Sequence, residues 1–183
     1  AYYLPSYLRL LLPLLRPRIK RATNTPTLDF HQELRRESKD ELKFSESNDD
    51  RYCAYFHTGG TTGAPKIAQH RHSGVLYNGW LSAEILFKQN DVILCPLPLF
   101  HVFAAYPIWQ GCLKSGAHMV IPTPSGYRGD GVLDYFWRII EHWQCTAFIT
   151  VPTAASMLCQ RQVDADISSL NFVISGSAPF PKQ

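Results

Sequence analysis

Beyond Arg51 the sequence alternates between short apolar segments and segments whose apolar residues recur at helical spacing, and this alternation restricts the possible folds most strongly. It predicts strands at 52–57, 92–95, 117–121, 146–151 and 170–175, and helices at 75–87, 102–113, 131–144 and 153–162. Strands joined through helices form right-handed crossovers and parallel sheets. We therefore predict an α/β fold with a mostly parallel sheet covered by helices on both faces. Ligands of such sheets bind beyond the carboxyl ends of the strands, so the segments that follow the strands are the candidate sites.

Charged residues are scarce in the same region. Only 15 of the 132 residues after Arg51 are Asp, Glu, Lys or Arg, well below the roughly 25% of ordinary domains. We infer that this stretch is the interior of something larger. The whole chain has a net charge of +3, but five basic residues lie within the first 21 positions, where no acid occurs. The remainder is close to neutral, which argues against nucleic-acid binding.

The N-terminal part differs in texture. We predict a basic, helical connector over residues 1–50, with a solvated helix between two loops within 22–50, and a separate domain over 51–183. The Leu- and Arg-rich segment 4–21 favours packing against the rest of the protein, with peripheral membrane contact as the alternative. Its apolar run is broken by Pro13 and is far shorter than the roughly 20 residues of a membrane span.

The five cysteines are odd in number and widely spaced, which suggests neither a disulfide framework nor a zinc site. We expect reduced thiols and a cytoplasmic protein.

The segment after the first predicted strand combines glycine, threonine and lysine. It consists of Thr58, Gly59, Gly60, Thr61, Thr62, Gly63, Ala64, Pro65 and Lys66. Glycines let backbone amides converge on one point, while threonine hydroxyls and a lysine charge add further donors, and together these groups suit polyphosphate. The alternative is a glycine-rich hairpin turn, which needs neither three threonines nor a Pro-Lys pair. The loop is not a Walker A sequence, because Ile67 stands where that motif has Ser or Thr.

Two further segments follow predicted strands. Residues 96–101 contain two prolines and end in His101, among apolar and aromatic neighbours. A histidine in this position is suited to orient a carboxylate, although a structural core histidine is an equally good interpretation. The last predicted strand leads into Gly176, Ser177, Ala178 and Pro179, whose small side chains let a flat ring lie against the backbone.

Together these segments resemble the AMP-forming adenylating enzymes, the superfamily of acyl-CoA synthetases, luciferases and peptide-synthetase adenylation domains. The loop is similar to the family pattern Y-T-[SG]-G-T-T-G-x-P-K-G, from which His57 and Ile67 depart. Residues 97–101 resemble its L-P-x-F-H element, residues 151–153 its V-P-T and residues 175–179 its S-G-[GS]-A-P. The resemblance implies that residues 51–183 are a partial AMP-binding domain, part of the large N-terminal domain of an acyl-CoA synthetase-like enzyme.

The resemblance also implies a two-step reaction. A carboxylate attacks the α-phosphate of ATP to give an acyl-adenylate and pyrophosphate, and a thiol, usually that of coenzyme A, then takes the acyl group. Lys66 and His101 are implied as catalytic residues, His101 beside the substrate carboxylate. The residues implied in nucleotide binding are Thr58, Gly59, Gly60, Thr61, Thr62, Gly63 and Lys66 for the phosphates, and Gly176, Ser177, Ala178 and Pro179 for adenine. Phe103, Tyr106 and Trp109 are candidates for the acyl pocket, with core packing as the alternative for most of them.

In the family, a glutamate that organises Mg²⁺, an aspartate that grips ribose and a C-terminal domain with a lysine all follow the S-G-[GS]-A-P element. The sequence stops at Gln183, so we expect this chain alone to lack a Mg²⁺ ligand, to bind ATP weakly and not to turn over. The leading substrate is a fatty or other apolar carboxylic acid. The alternatives are an aryl-acid CoA ligase, an adenylation domain that feeds a carrier protein, and a catalytically inactive nucleotide-binding module. The oligomeric state stays open.

Overall fold

The computed structural model describes residues 28–41, 45, 47–58 and 66–179. The chain divides into two compact units, Ala1–Asp49 and Asp50–Gln183. In the described part of the first unit, helix α1 spans Phe30–Arg36 and buries none of its residues. Asp29 caps the helix by accepting a hydrogen bond from the backbone N–H of Gln32 at 2.8 Å. A solvated helix thus occurs within residues 22–50, as the polar composition predicts. The segment 4–21 lies outside the described residues.

The second unit contains a parallel sheet and a separate hairpin. In chain order its elements are β1 (Tyr52–His57), β2 (Ile67–Arg71), α2 (His72–Ile85), β3 (Val92–Leu94), a π-helix (Ala104–Gln110), α3 (Gly111–Ser115), β4 (His118–Val120), a 3-10 helix (Gly126–Arg128), α4 (Phe136–Trp143), β5 (Ala147–Thr150), α5 (Pro152–Cys159) and β6 (Phe172–Ser175). Strands β3 to β6 pair in parallel, in the order β4-β3-β5-β6. The predicted α/β fold with a mostly parallel sheet is confirmed.

Apolar side chains cover both faces of this sheet. Successive residues of a strand point to opposite faces. On one face, Ile93 of β3 and Ile149 of β5 belong to a buried cluster that includes Ile108 of the π-helix. On the other face, the ring of Phe148 meets that of Phe136 in α4, with 5.1 Å between the ring centroids. All four residues of β5 are buried, which explains why its sequence is almost wholly apolar.

The strand order creates a crevice between the two central strands, β3 and β5, at the carboxyl ends of the sheet. The chain leaves β3 towards β4 on one side, whereas it leaves β5 towards β6 on the other side. The connections after the adjacent strands β3 and β5 therefore diverge. In open α/β sheets, ligands bind at such a switch point, beyond the carboxyl ends of the strands.

One part of the predicted topology is wrong. The first predicted strand, β1, is not a member of the parallel sheet but pairs antiparallel with β2, from Tyr52 opposite Arg71 to His57 opposite Ile67. Strand β2 was not predicted, because its sequence has only two apolar residues, Ile67 and Ala68, before polar ones and so carries little strand signal. Strands β1 and β2 are thus the paired arms of a hairpin, and residues 59–65 between them lie outside the described part of the chain.

Two predicted helices differ in detail for identifiable reasons. The helix predicted at 102–113 is a π-helix in its middle, where Pro107 lacks the N–H that a regular α-helical turn would use. The helix predicted at 131–144 begins only at Phe136, since Gly131 has a φ of +75° and residues 131–135 form turns. Among the described residues, no helix has the length and apolar character that crossing a membrane requires.

Candidate functional site

A cavity of about 840 Å³ opens at the carboxyl ends of all four parallel strands. Its lining consists of Pro96, Leu97, Pro98, Phe100, His101, Phe103 and Ala104 after β3, Pro124, Ser125, Tyr127, Arg128 and Leu133 after β4, Val151, Thr153, Ala154 and Met157 after β5, and Ser177 after β6. The volume is in the range that holds a drug-sized ligand, and most of the lining side chains are apolar. The cavity lies where the strand order predicts a ligand site.

His101 reaches this cavity through the stiff segment that follows β3. Pro96 and Pro98 restrict the backbone, and the N–H of His101 donates to the carbonyl oxygen of Pro98 at 3.1 Å. The Nδ1 atom of His101 accepts a weak hydrogen bond of 3.4 Å from the N–H of Phe103. A histidine that accepts a hydrogen bond at Nδ1 can donate one from Nε2. His101 is exposed to the cavity, which fits the predicted site histidine better than a core histidine.

The chain segment after β6 also contributes to the cavity wall. Ser177 lines the cavity with a φ of +70°, in the left-handed region that non-glycine residues rarely adopt. Gly176 lies against Phe103, since a Cβ at this position would be 2.7 Å from the Cζ atom of that ring. The motifs around His101 and Ser177, far apart in sequence, are therefore in contact. Ala178 and Pro179 are described but do not line the cavity.

The predicted phosphate loop is described only at its ends. Residues 59–65, including Gly59, Gly60, Thr61, Thr62 and Gly63, lie outside the described residues. Thr58 donates to the carbonyl oxygen of Lys66 from its backbone N–H at 2.7 Å and from its hydroxyl at 3.2 Å. These bonds close the hairpin beneath the loop, and both residues are exposed.

An aromatic cluster joins this hairpin to the π-helix that follows His101. The ring of Tyr106 has its centroid 5.4 Å from that of Phe56 in β1 and 5.0 Å from that of His70 in β2. Tyr106 is buried in this cluster and does not line the cavity. Trp109 does not line it either, so Phe103 is the only one of the three predicted acyl-pocket residues found in the wall.

Sequence reasoning missed the wall that follows β4. There the N–H of Tyr127 donates to the carbonyl oxygen of Pro96 at 2.8 Å, and its hydroxyl donates to the carbonyl oxygen of Ile149 at 2.9 Å. Burial raises the pKa of the Tyr127 hydroxyl well above its usual range. Arg128 comes next and lines the cavity. The signal was available, because a Pro-Ser-Gly turn follows a predicted strand at this point.

No group of three or more His, Cys, Asp or Glu residues that could hold a metal ion occurs in the described part of the chain. All five cysteines are free; Cys53 and Cys159 are exposed, whereas Cys95, Cys112 and Cys145 are buried.

An open parallel sheet with a ligand-sized cavity at its switch point defines an α/β ligand-binding domain. The sequence profile of the AMP-binding enzymes matches residues 13–183, and the chain belongs to this family. The match begins within the segment predicted to be a connector.

Two curated proteins with similar sequences are named CoA ligases. The chain is 34% identical over 163 residues to marinolic acid–CoA ligase of Pseudoalteromonas sp. (strain SANK 73390), a match that covers 85% of this chain and 25% of the relative. It is 30% identical over 132 residues to 4-coumarate–CoA ligase 3 of Arabidopsis thaliana, with 69% of this chain and 23% of the relative covered. The chain thus spans about a quarter of the length of these relatives.

Solved structures confirm the fold and its assignment to an N-terminal domain. The N-terminal domain of FACL13 from Mycobacterium tuberculosis superposes with a TM-score of 0.68 at 26% identity, over 83% of this chain and 37% of that one. ATP-bound MatB from Rhodopseudomonas palustris superposes with a TM-score of 0.63 at 26% identity, over 76% of this chain and 27% of that one.

Proposed function

We propose that this chain is part of an enzyme that activates a carboxylic acid with ATP and transfers the acyl group to coenzyme A. In the first step a carboxylate oxygen attacks the α-phosphorus, and the bond to pyrophosphate breaks. In the second step the sulfur of the thiol attacks the acyl carbon, and AMP leaves. The observation that carries this proposal is the cavity that the His101 and Ser177 segments share, in a chain of the AMP-binding enzyme family.

Each part of the site has a role in this proposal. The cavity holds the body of the acid, because its wall is mostly apolar. His101 donates from Nε2 to the carboxylate or to the adenylate formed from it, and so orients the reacting group. Gly176, Ser177, Ala178 and Pro179 contact the adenine ring in this proposal, Ser177 from the cavity wall and the other three beside it.

The phosphate loop supplies the positive charge. Thr58, Lys66 and the intervening glycines and threonines bind the β- and γ-phosphates, and Lys66 stabilises the charge that gathers on departing pyrophosphate. The hydrogen bonds between Thr58 and Lys66 fix the base of the loop and support this role. The described residues include no cluster of side chains suited to Mg²⁺. The proposal therefore names no Mg²⁺ ligand among them.

The class of acid is the least constrained part of the proposal. A fatty or other apolar acid agrees with the apolar wall, whereas an aryl acid agrees with the relative that is named a 4-coumarate–CoA ligase. Both relatives are named CoA ligases, which favours coenzyme A over a carrier protein as the acceptor. Thioester formation with free coenzyme A supports the proposal, and a strict requirement for a carrier protein contradicts it.

The exposed lysine of the loop allows a test against an inactive nucleotide-binding module. In the enzyme expressed from its complete reading frame, we expect Lys66→Ala to lower acid-dependent ATP–pyrophosphate exchange by about a hundredfold or more, because a group that acts in the transition state is removed. Lys88→Ala is the matched control, since Lys88 is also exposed but lies outside the loop and the cavity. Equal exchange rates in the two variants would mean that the loop has only a structural role.

A further inference from the structure

The cavity wall has an uneven distribution of charge. Among the lining residues that the structure describes, only His101 and Arg128 can carry a positive charge, and none is an acid. His101 is already assigned to the reacting carboxylate. The second cation of the wall, Arg128, has no role in the proposed reaction so far. The other lining side chains around it are apolar or carry hydroxyl groups.

Hydrogen bonds hold the backbone at Arg128, an exposed residue of the wall, in place. Its N–H donates to the carbonyl oxygen of Ser125 at 3.2 Å, and the hydroxyl of Thr123 donates to the carbonyl oxygen of Gly126 at 3.1 Å. The preceding residue, Tyr127, donates hydrogen bonds to Pro96, which follows β3, and to Ile149 within β5. The turn that carries Arg128 is thus tied to the two strands that flank the crevice.

The guanidinium of Arg128 has no partner among the described residues. Four other described arginines pair with carboxylates: Arg36 with Glu33, Arg71 with Asp50, Arg138 with Asp164 and Arg161 with Asp134. A planar guanidinium binds a carboxylate through two parallel hydrogen bonds, which makes a free arginine in a cavity wall a recognition group for an anion.

We infer that Arg128 binds a second carboxylate on the acid that occupies the cavity, so that the enzyme prefers acids with an apolar body and two acidic ends. This inference rests on the proposed function and specifies its substrate class. One carboxylate reacts near His101, and the other pairs with Arg128. A phosphate of a nucleotide offers similar oxygens, and the experiment below separates the two sources.

The test compares octanoate with octanedioate, which differ only in the second carboxylate. In the complete enzyme, we expect wild type to use octanedioate with the higher kcat/KM in ATP–pyrophosphate exchange. The ratio of kcat/KM for the diacid to that for the monoacid falls about tenfold in Arg128→Gln. It falls less in Arg128→Lys, because lysine keeps the positive charge but cannot form two parallel hydrogen bonds to a carboxylate. Lys88→Gln, which removes an exposed charge outside the cavity, leaves the ratio unchanged.

Other results overturn the inference. An unchanged ratio in Arg128→Gln means that Arg128 does not read the second carboxylate. Equal losses for both acids together with a raised KM for ATP mean that it binds a nucleotide phosphate instead.

Calorimetric titration separates this inference from the proposed function. We expect octanedioate to bind wild type more tightly than octanoate does, and Arg128→Gln to abolish the difference even if no exchange occurs. Absence of exchange with any acid would contradict the proposed function, whereas equal binding of the two acids would contradict the role of Arg128.

Discussion

Replacing Gly126 with alanine tests the wall of the cavity that the sequence did not reveal. Gly126 has a φ of +59°, and a Cβ there would be 2.5 Å from the carbonyl oxygen of Pro96. The left-handed backbone costs an alanine about 1–2 kcal/mol, and overpacking against backbone that cannot rotate away costs about 1–3 kcal/mol more. We expect Gly126→Ala to lower the free energy of unfolding by about 2–5 kcal/mol.

Thermal unfolding followed by circular dichroism measures this effect. For a chain of this size the loss corresponds to a decrease in Tm of roughly 5–15 °C. Gly74→Ala is the matched control, because a Cβ at Gly74 in α2 would meet nothing within 4 Å. Alanine favours a helix by about 0.5–1 kcal/mol over glycine, so this control keeps or raises the Tm. Equal Tm values for the two variants would refute the close approach of Gly126 to Pro96.

The cysteines give two further predictions. A thiol-specific chromogenic reagent is expected to label the exposed Cys53 and Cys159 of the native protein rapidly. The other three cysteines are buried and are expected to react only on unfolding, so fast labelling of all five would contradict the packing. Burial raises the pKa of Cys95 to about 11 from 9.0, so the folded state holds a proton that the unfolded state releases in this range. The contribution of the protonated Cys95 thiol to the free energy of unfolding is therefore expected to be fully present below pH 9 and to be lost as the pH rises towards 11. In urea unfolding at several pH values, Cys95→Ala is expected to make this decline less steep. An identical pH dependence in wild type and variant would contradict the prediction.

The sequence predicted the parallel sheet well because burial leaves a strong trace. The residues of β5 are buried on both faces, so only apolar or small side chains fit there, and the run at 146–151 reports this directly. The rule that ligands lie beyond the strands then led to His101 and Ser177, which do line one cavity.

The parts that the sequence did not predict depend on contacts between distant residues. Strand β2 forms because it pairs with β1, and the sequence of Ile67–Arg71 has no regular alternation of apolar and polar residues that would predict this pairing. The wall at Tyr127 exists because its hydroxyl reaches the carbonyl oxygen of Ile149, 22 residues later. The Pro-Ser-Gly turn marks this place in the sequence, but a hydrogen bond across such a separation has no local signature.

The stoichiometry of products tests the central claim most directly. The complete enzyme is incubated with ATP, a carboxylic acid and coenzyme A, and AMP, pyrophosphate and acyl-CoA are quantified together. Activation through an acyl-adenylate predicts AMP, pyrophosphate and thioester in equal amounts, with none formed when the acid is omitted. Formation of ADP and phosphate, or of AMP that does not depend on the acid, would contradict the proposed reaction.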